Sequence, residues 1–135
     1  MLTLLCYLWA SPNTLFGLCW VLLARLTGGG WQVHSGVVEA HGGWAAAVLR
    51  RLPFVQGGAA AITLGHVVLG VTDAALDVTR THERVHVAQY ERWGPLFIPA
   101  YFLSGLWMWA RGNDPYRDNP FEVEAYGCDG SEHEA

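Results

Sequence analysis

The chain has no lysine, and all eight of its basic residues are arginine. Charge of either sign is scarce: Asp, Glu, Lys and Arg together make up 15% of 135 residues, with a net charge of −4. Without a basic excess there is no electrostatic footprint for a phosphate backbone, which argues against nucleic acid as a partner. Cysteine is scarce too. Cys6, Cys19 and Cys128 are odd in number and form no Cys-x-x-Cys pair, so neither a disulfide framework nor a thiolate metal site is expected. Cys6 and Cys19 sit in apolar sequence and read as buried, inert thiols. Gly28-Gly29-Gly30 lacks the Lys-Ser/Thr of a phosphate-binding loop and reads as a joint. Metal or acid–base chemistry in this chain must therefore come from histidine and carboxylate.

Apolar residues are plentiful, at 52% with seven tryptophans. That is above the soluble average, while the length fits one domain. Residues 1–27 are the most apolar part, broken only by Ser11-Pro12-Asn13-Thr14. A cleaved signal peptide would need a basic start, which is missing. Two readings remain: a membrane anchor formed by one kinked helix, or a hairpin of two short helices with Pro12 opening the second. Either one predicts membrane association, and a hairpin buried in a soluble fold is the alternative. Arg25, just after the apolar run, favours the cytoplasmic side for the rest of the chain.

Residues 31–40 read as a strand or hairpin. His34 and His41 lie here and are taken as structural. Residues 42–51 read as a short helix ended by Pro53, with a turn at Gln56-Gly57-Gly58. Residues 59–70, rich in β-branched side chains, read as one strand with Ile62, Leu64, His66 and Val68 on one face.

The strongest chemical signal follows. Residues 82–86 spell His-Glu-x-x-His. On a helix, residues i and i+4 share a face one turn apart, so His82 and His86 can present two imidazoles to one metal ion. Glu83, beside the first of them, can reach a water polarised by that ion and act as its base. Zinc brings the pKa of such a water to about 7. Asp77 is the expected N-cap of a helix over residues 78–93, stopped by Gly94-Pro95. Residues 96–110 carry no charge until Arg111 and read as a helix that is either interfacial or buried.

Two histidines leave a catalytic zinc site incomplete. The pattern with a third histidine on the same helix is excluded, since Gln89 and Arg92 stand where its Gly and His would be. Glu91 points the wrong way round the helix. A carboxylate from another helix is required, and Asn119-Pro120 opens one. Glu122-Val123-Glu124-Ala125-Tyr126 resembles the Glu-x-x-Ala-Asp element of gluzincin-type zinc metallopeptidases, with Tyr126 in place of Asp. The resemblance implies Glu122 as third ligand, with Glu124 as the alternative. Tyr126 removes the carboxylate that would support a ligand histidine, a role that Asp118, Glu124 or Asp77 would have to fill. The stretch from residue 61 through residues 82–95 to residues 114–126 also resembles a small bacterial family, which implies no substrate.

The resulting expectation is an α+β fold. A small antiparallel sheet lies next to a zincin-type helix, with the apolar N-terminal hairpin or anchor at residues 1–27, the zincin-like domain at 28–127 and an acidic, frayed tail at 128–135. The expected function is Zn2+-dependent hydrolysis of a peptide or related amide. The ligands are His82, His86 and Glu122, Glu83 is the base, and His66, Tyr126 or Arg117 steadies the oxyanion. A sheet edge beside the metal would pair with an extended peptide substrate. The alternative is a non-catalytic membrane-associated protein with a structural metal site. A partner protein completing the cleft is a further expectation for so short a chain.

Overall fold

The computed structural model describes residues 1–52 and 58–133, the side chains of 129–133 excepted. The fold is α+β. Its elements in order are α1 (Leu2–Leu26), β1 (Gly30–His34), β2 (Val37–His41), α2 (Gly43–Leu49), β3 (Ala61–Leu64), β4 (Val67–Gly70), α3 (Asp73–Trp93), a 3-10 turn (Gly94–Leu96), α4 (Phe97–Ala110) and α5 (Pro120–His133). Pro53 and the residues through Gly57, read as a helix stop and the start of a turn, lie outside the described residues.

The four strands form one sheet in the order β1-β2-β4-β3. The sheet is mixed, where an antiparallel one was expected. β1–β2 and β3–β4 are antiparallel hairpins, but β2 and β4 run parallel. Parallel neighbours need a crossover, and residues 42–66, carrying α2 and β3, supply it. The expected single strand over residues 59–70 is in fact the second hairpin, turning at Gly65-His66. Gly65 has φ +63°, a value that a two-residue hairpin turn demands at its first position. A Cβ there would also stand 2.6 Å from the Thr14 backbone nitrogen. This turn lifts His66 out of the strand alternation assigned to it.

α1 is one continuous helix and not a hairpin. Pro12 cannot donate to Leu8 O, and the Ser11 hydroxyl donates to that carbonyl instead, at 2.7 Å. The loss that would break the helix is thus met locally. Ala10, Asn13, Gly17 and Ala24 form its buried stripe. Gly17 lies so close to the second hairpin that a Cβ would come within 2.7 Å of Val67 Cβ. Asn13 Nδ2 donates to Gly94 O at 3.0 Å, and Thr14 Oγ1 accepts from the His66 N–H at 3.0 Å. The opposite face is bare and apolar, with Leu4, Leu8, Leu15 and Leu22 all exposed. By length and composition α1 is able to cross a membrane. Cys19 is exposed on it and Cys6 half-buried, so neither is the buried thiol expected.

α3 begins five residues earlier than the sequence suggested. Thr72 is its cap, its hydroxyl accepting from Ala75 N at 3.0 Å, and Asp77 inside the helix pairs with Arg80. Leu76 and Val87 pack on Val37 and Val68 of the sheet, and Tyr90 packs with Ala10 and Phe97. Glu39, 1% exposed on β2, is the polar tie between layers: it accepts from Arg80, Arg84 and Gln32. α5 extends through His133, so the 128–133 part of the expected frayed tail is helical.

Candidate metal centre

α3 and α5 meet at the centre. His82 Nε2 and His86 Nε2 approach each other to 3.2 Å from successive turns of α3. Glu122 comes from the first turn of α5, with Oε2 at 3.1 Å from His82 Nε2 and Oε1 at 3.4 Å from His86 Nε2. All three side chains are buried, and their donor atoms lie within 4.8 Å of one another. This His-His-Glu group can hold a metal ion.

Glu122 gets there because Asn119 starts α5 at the right place. Asn119 is fully buried; its Oδ1 accepts from Phe121 N at 3.1 Å and its Nδ2 donates to Tyr101 O at 3.0 Å. Glu122 therefore does not serve as a capping glutamate, and its carboxylate faces α3. Glu124, the alternative ligand, is turned away to Gln89 and Arg92.

Hydrogen bonding fixes which nitrogen of His86 faces the centre. Gln89 Nε2 donates to Phe121 O and to Glu124, leaving Gln89 Oε1 as an acceptor. His86 Nδ1, 2.8 Å from that oxygen, must carry the proton, so the Nε2 lone pair of the neutral ring points at the centre. Gln89, fully buried, thus orients the histidine as the supporting partner of a metal ligand does. Asp118, Glu124 and Asp77 do not contact a ligand histidine directly. His82 Nδ1 is buried without a hydrogen bond, and Tyr126 instead lays its ring against His82 at 4.4 Å between centroids.

Burial works against charge on Glu122, but its contacts with His82 and His86 prevail and hold its carboxyl down at about 2. Tyr101 donates to Glu122 Oε1 at 2.6 Å, and burial pushes the Tyr101 phenol upward, so it remains a donor. For His86, burial opposes protonation, yet Glu122 and Glu83 raise its proton affinity overall. The raised proton affinity of His86 reports the negative potential that Glu122 and Glu83 place on it, which suits a cation.

Glu83 lies beside the centre, buried, and burial raises its pKa. Its Oε2 accepts from the Thr63 hydroxyl of β3 at 2.6 Å. A polar cleft of about 520 Å³ reaches His82 and Glu83 past the 59–61 stretch, Asp114, Tyr116, Arg117 and Tyr126. Asp114 shapes this rim, its Oδ1 accepting from the backbone N–H groups of Tyr116 and Arg117. Tyr116 and Tyr126 join hydroxyls across it at 3.1 Å.

Four sequence-derived residues thus converge: His82, His86, Glu122 and Glu83. Tyr126 and Arg117 reach the cleft. His66 does not join them. It is buried at the hairpin turn, with Nε2 2.8 Å from Glu91 Oε1 and its ring stacked on Tyr7 at 3.9 Å. His34 and His41 also lie outside the group. The sequence reading missed Thr63, Gln89 as a partner of His86, and Tyr101. Only Gln89 carried a signal, its place three residues after His86 on the same helical face.

No family model, no curated protein and no solved structure matches this chain.

Proposed function

We propose that the chain is a zinc-dependent hydrolase of peptides or related amides, similar in its ligand set to gluzincin-type metallopeptidases. The observation that carries this is the spacing of the donor atoms. The two Nε2 atoms and the Glu122 oxygens stand 3.1–3.4 Å apart. That is the edge of a tetrahedron with arms of about 2.0–2.1 Å, the zinc–nitrogen length. Two imidazoles and one carboxylate are also a donor set zinc accepts while keeping a position for solvent. When bound, zinc supplies Lewis acidity to a carbonyl and brings the pKa of water near 7.

The chain's own residues do the rest. Glu83 is within reach of the same space, held by Thr63, and its raised proton affinity suits it to take a proton from water and hand it to a leaving amine. Tyr116, Tyr126 and Arg117 line the cleft where a developing oxyanion would need donors. The outer edge of β3 borders that cleft and offers main-chain groups to an extended substrate. We place the protein at a membrane through α1, with the centre on the cytoplasmic side that Arg25 favours.

The test is metal analysis and amide hydrolysis on purified protein. Wild type holds one zinc per chain. Glu122→Ala loses it, and Glu83→Gln keeps it while turnover falls about 10²–10⁴-fold. Full activity in Glu83→Gln overturns the reading. The bare apolar faces favour a second reading, a non-catalytic membrane protein braced by metal. Four protein ligands and no open position on the bound ion would establish that one.

A further inference from the structure

The centre also closes one end of a second cavity, of about 330 Å³. Its inner end is His82, Glu83, His86 and Glu122, and its walls include Leu52, Ile62, Phe97 and Ile98. Phe16 of α1 and Phe102 of α4 line it as well. These two are 54% and 59% exposed, and they belong to the two helices whose outer faces are bare and apolar. One cavity therefore connects the ligand set to the greasiest surface of the protein, while the polar cleft shares His82, Glu83 and Tyr116 with it.

The hydroxyls along the walls of this cavity are already committed. The Thr63 hydroxyl goes to Glu83, the Tyr90 hydroxyl to Thr63 O, and the Tyr101 hydroxyl to Glu122. A peptide backbone threaded here would find main-chain partners only along the outer edge of β3, and its groups facing Leu52, Phe97 and Ile98 would go unpaired, which is costly in an apolar environment. A hydrocarbon chain needs none. We propose that the cavity holds the unbranched acyl chain of a membrane-borne N-acyl amide, its carbonyl at the centre and its polar head in the cleft beside Arg117 and Asp114. The inference rests on the hydrolase reading and names its substrate class. In the step itself, water oxygen bonds to the acyl carbon and the C–N bond breaks. The proton taken by Glu83 goes to the nitrogen, giving a fatty acid and an amine. The distal end of the chain leaves between Phe16 and Phe102, toward lipid.

Straight-chain alkyl hydroxamates test this, because they carry an acyl chain on a metal-binding head. Cobalt-substituted protein is titrated with acetohydroxamate and its homologues up to octanohydroxamate, following the visible absorption of the metal. Affinity should rise about fourfold per added methylene until the chain fills the cavity. Ile62→Trp, which adds bulk at a wall residue of this cavity that the polar cleft does not share, should flatten that rise while the cobalt bands persist. A response to acetohydroxamate with no dependence on chain length overturns the proposal and leaves the metal reading standing. Tighter binding of leucine hydroxamate than of the straight chain with the same carbon count also overturns it, giving the cavity to a peptide side chain. No response to any hydroxamate removes the open metal site, and the proposal with it.

Discussion

Gln89 shows how much one side chain decides. Its amide is oriented by two acceptors on α5, and that orientation sets the tautomer of His86. Gln89→Leu keeps the size but removes the acceptor, leaving His86 free to place its proton on Nε2, where a metal would bind. Metal affinity should fall about 10–100-fold, with Glu122→Ala far more severe; a zinc competition titration measures it, and an unchanged affinity would show that Gln89 only fills space. The His-His-Glu group was legible, because helical geometry places residues four apart on one face and the run from Glu122 to Ala125 resembles the gluzincin element. Thr63 and Tyr101 were not. They reach Glu83 and Glu122 across 20 and 21 residues of chain, and no local periodicity encodes such a contact. His66 was over-read, since an imidazole near a metal motif in sequence carries no information about where its strand turns.

At the level of elements, the class of each segment was readable but its punctuation was not. Pro12 looked like a break because local patterning does not reveal that Ser11 satisfies the orphaned carbonyl. Residues 59–70 looked like one strand because their β-branched run hid the hairpin turn at Gly65. The tie between α3 and β2 was invisible for the same reason as Thr63: Glu39, Arg80 and Arg84 are far apart in sequence. That tie predicts a pH dependence. Burial opposes ionisation of Glu39, but hydrogen bonds from Arg80 and Gln32 and the charges of both arginines leave its pKa below the ordinary 4.5. A depressed carboxyl contributes stability that is complete above its unfolded pKa and is lost as pH falls through the lower folded value. Glu39→Gln should therefore destabilise by on the order of 2 kcal/mol at neutral pH, less than a fully buried pair because both arginines reach solvent. In urea unfolding the gap between wild type and variant should stay constant above about pH 5 and narrow below about pH 4. A gap that widens in acid would mean that the carboxylate is not stabilised by its arginines.

On the scale of the whole molecule, the two bare helices are the feature that water alone does not explain. Leu4, Leu8, Leu15 and Leu22 on α1, and Leu103, Leu106, Trp107 and Trp109 on α4, are all exposed, far more apolar surface than isolated surface leucines would give. The composition showed an excess of apolar residues, but it could not say that α1 would also be pinned to the sheet and to Gly94 along one face. On the membrane reading proposed above, a helix held in this way would serve two solvents at once. Its small-residue stripe packs on protein and its leucine face would be left for lipid, with tryptophans suited to the interface. Because Phe16 and Phe102 stand in this same surface, membrane binding and access to the metal centre would become one property on that reading. The purified protein should float with phosphatidylcholine vesicles in a density gradient. Replacing Leu15 and Leu22 by glutamine removes apolar area from the outer face without touching the buried stripe. That double variant should shift to the soluble fractions while keeping its full complement of zinc. If it floats as well as wild type, lipid does not cover α1, and a protein partner must be sought for that face instead.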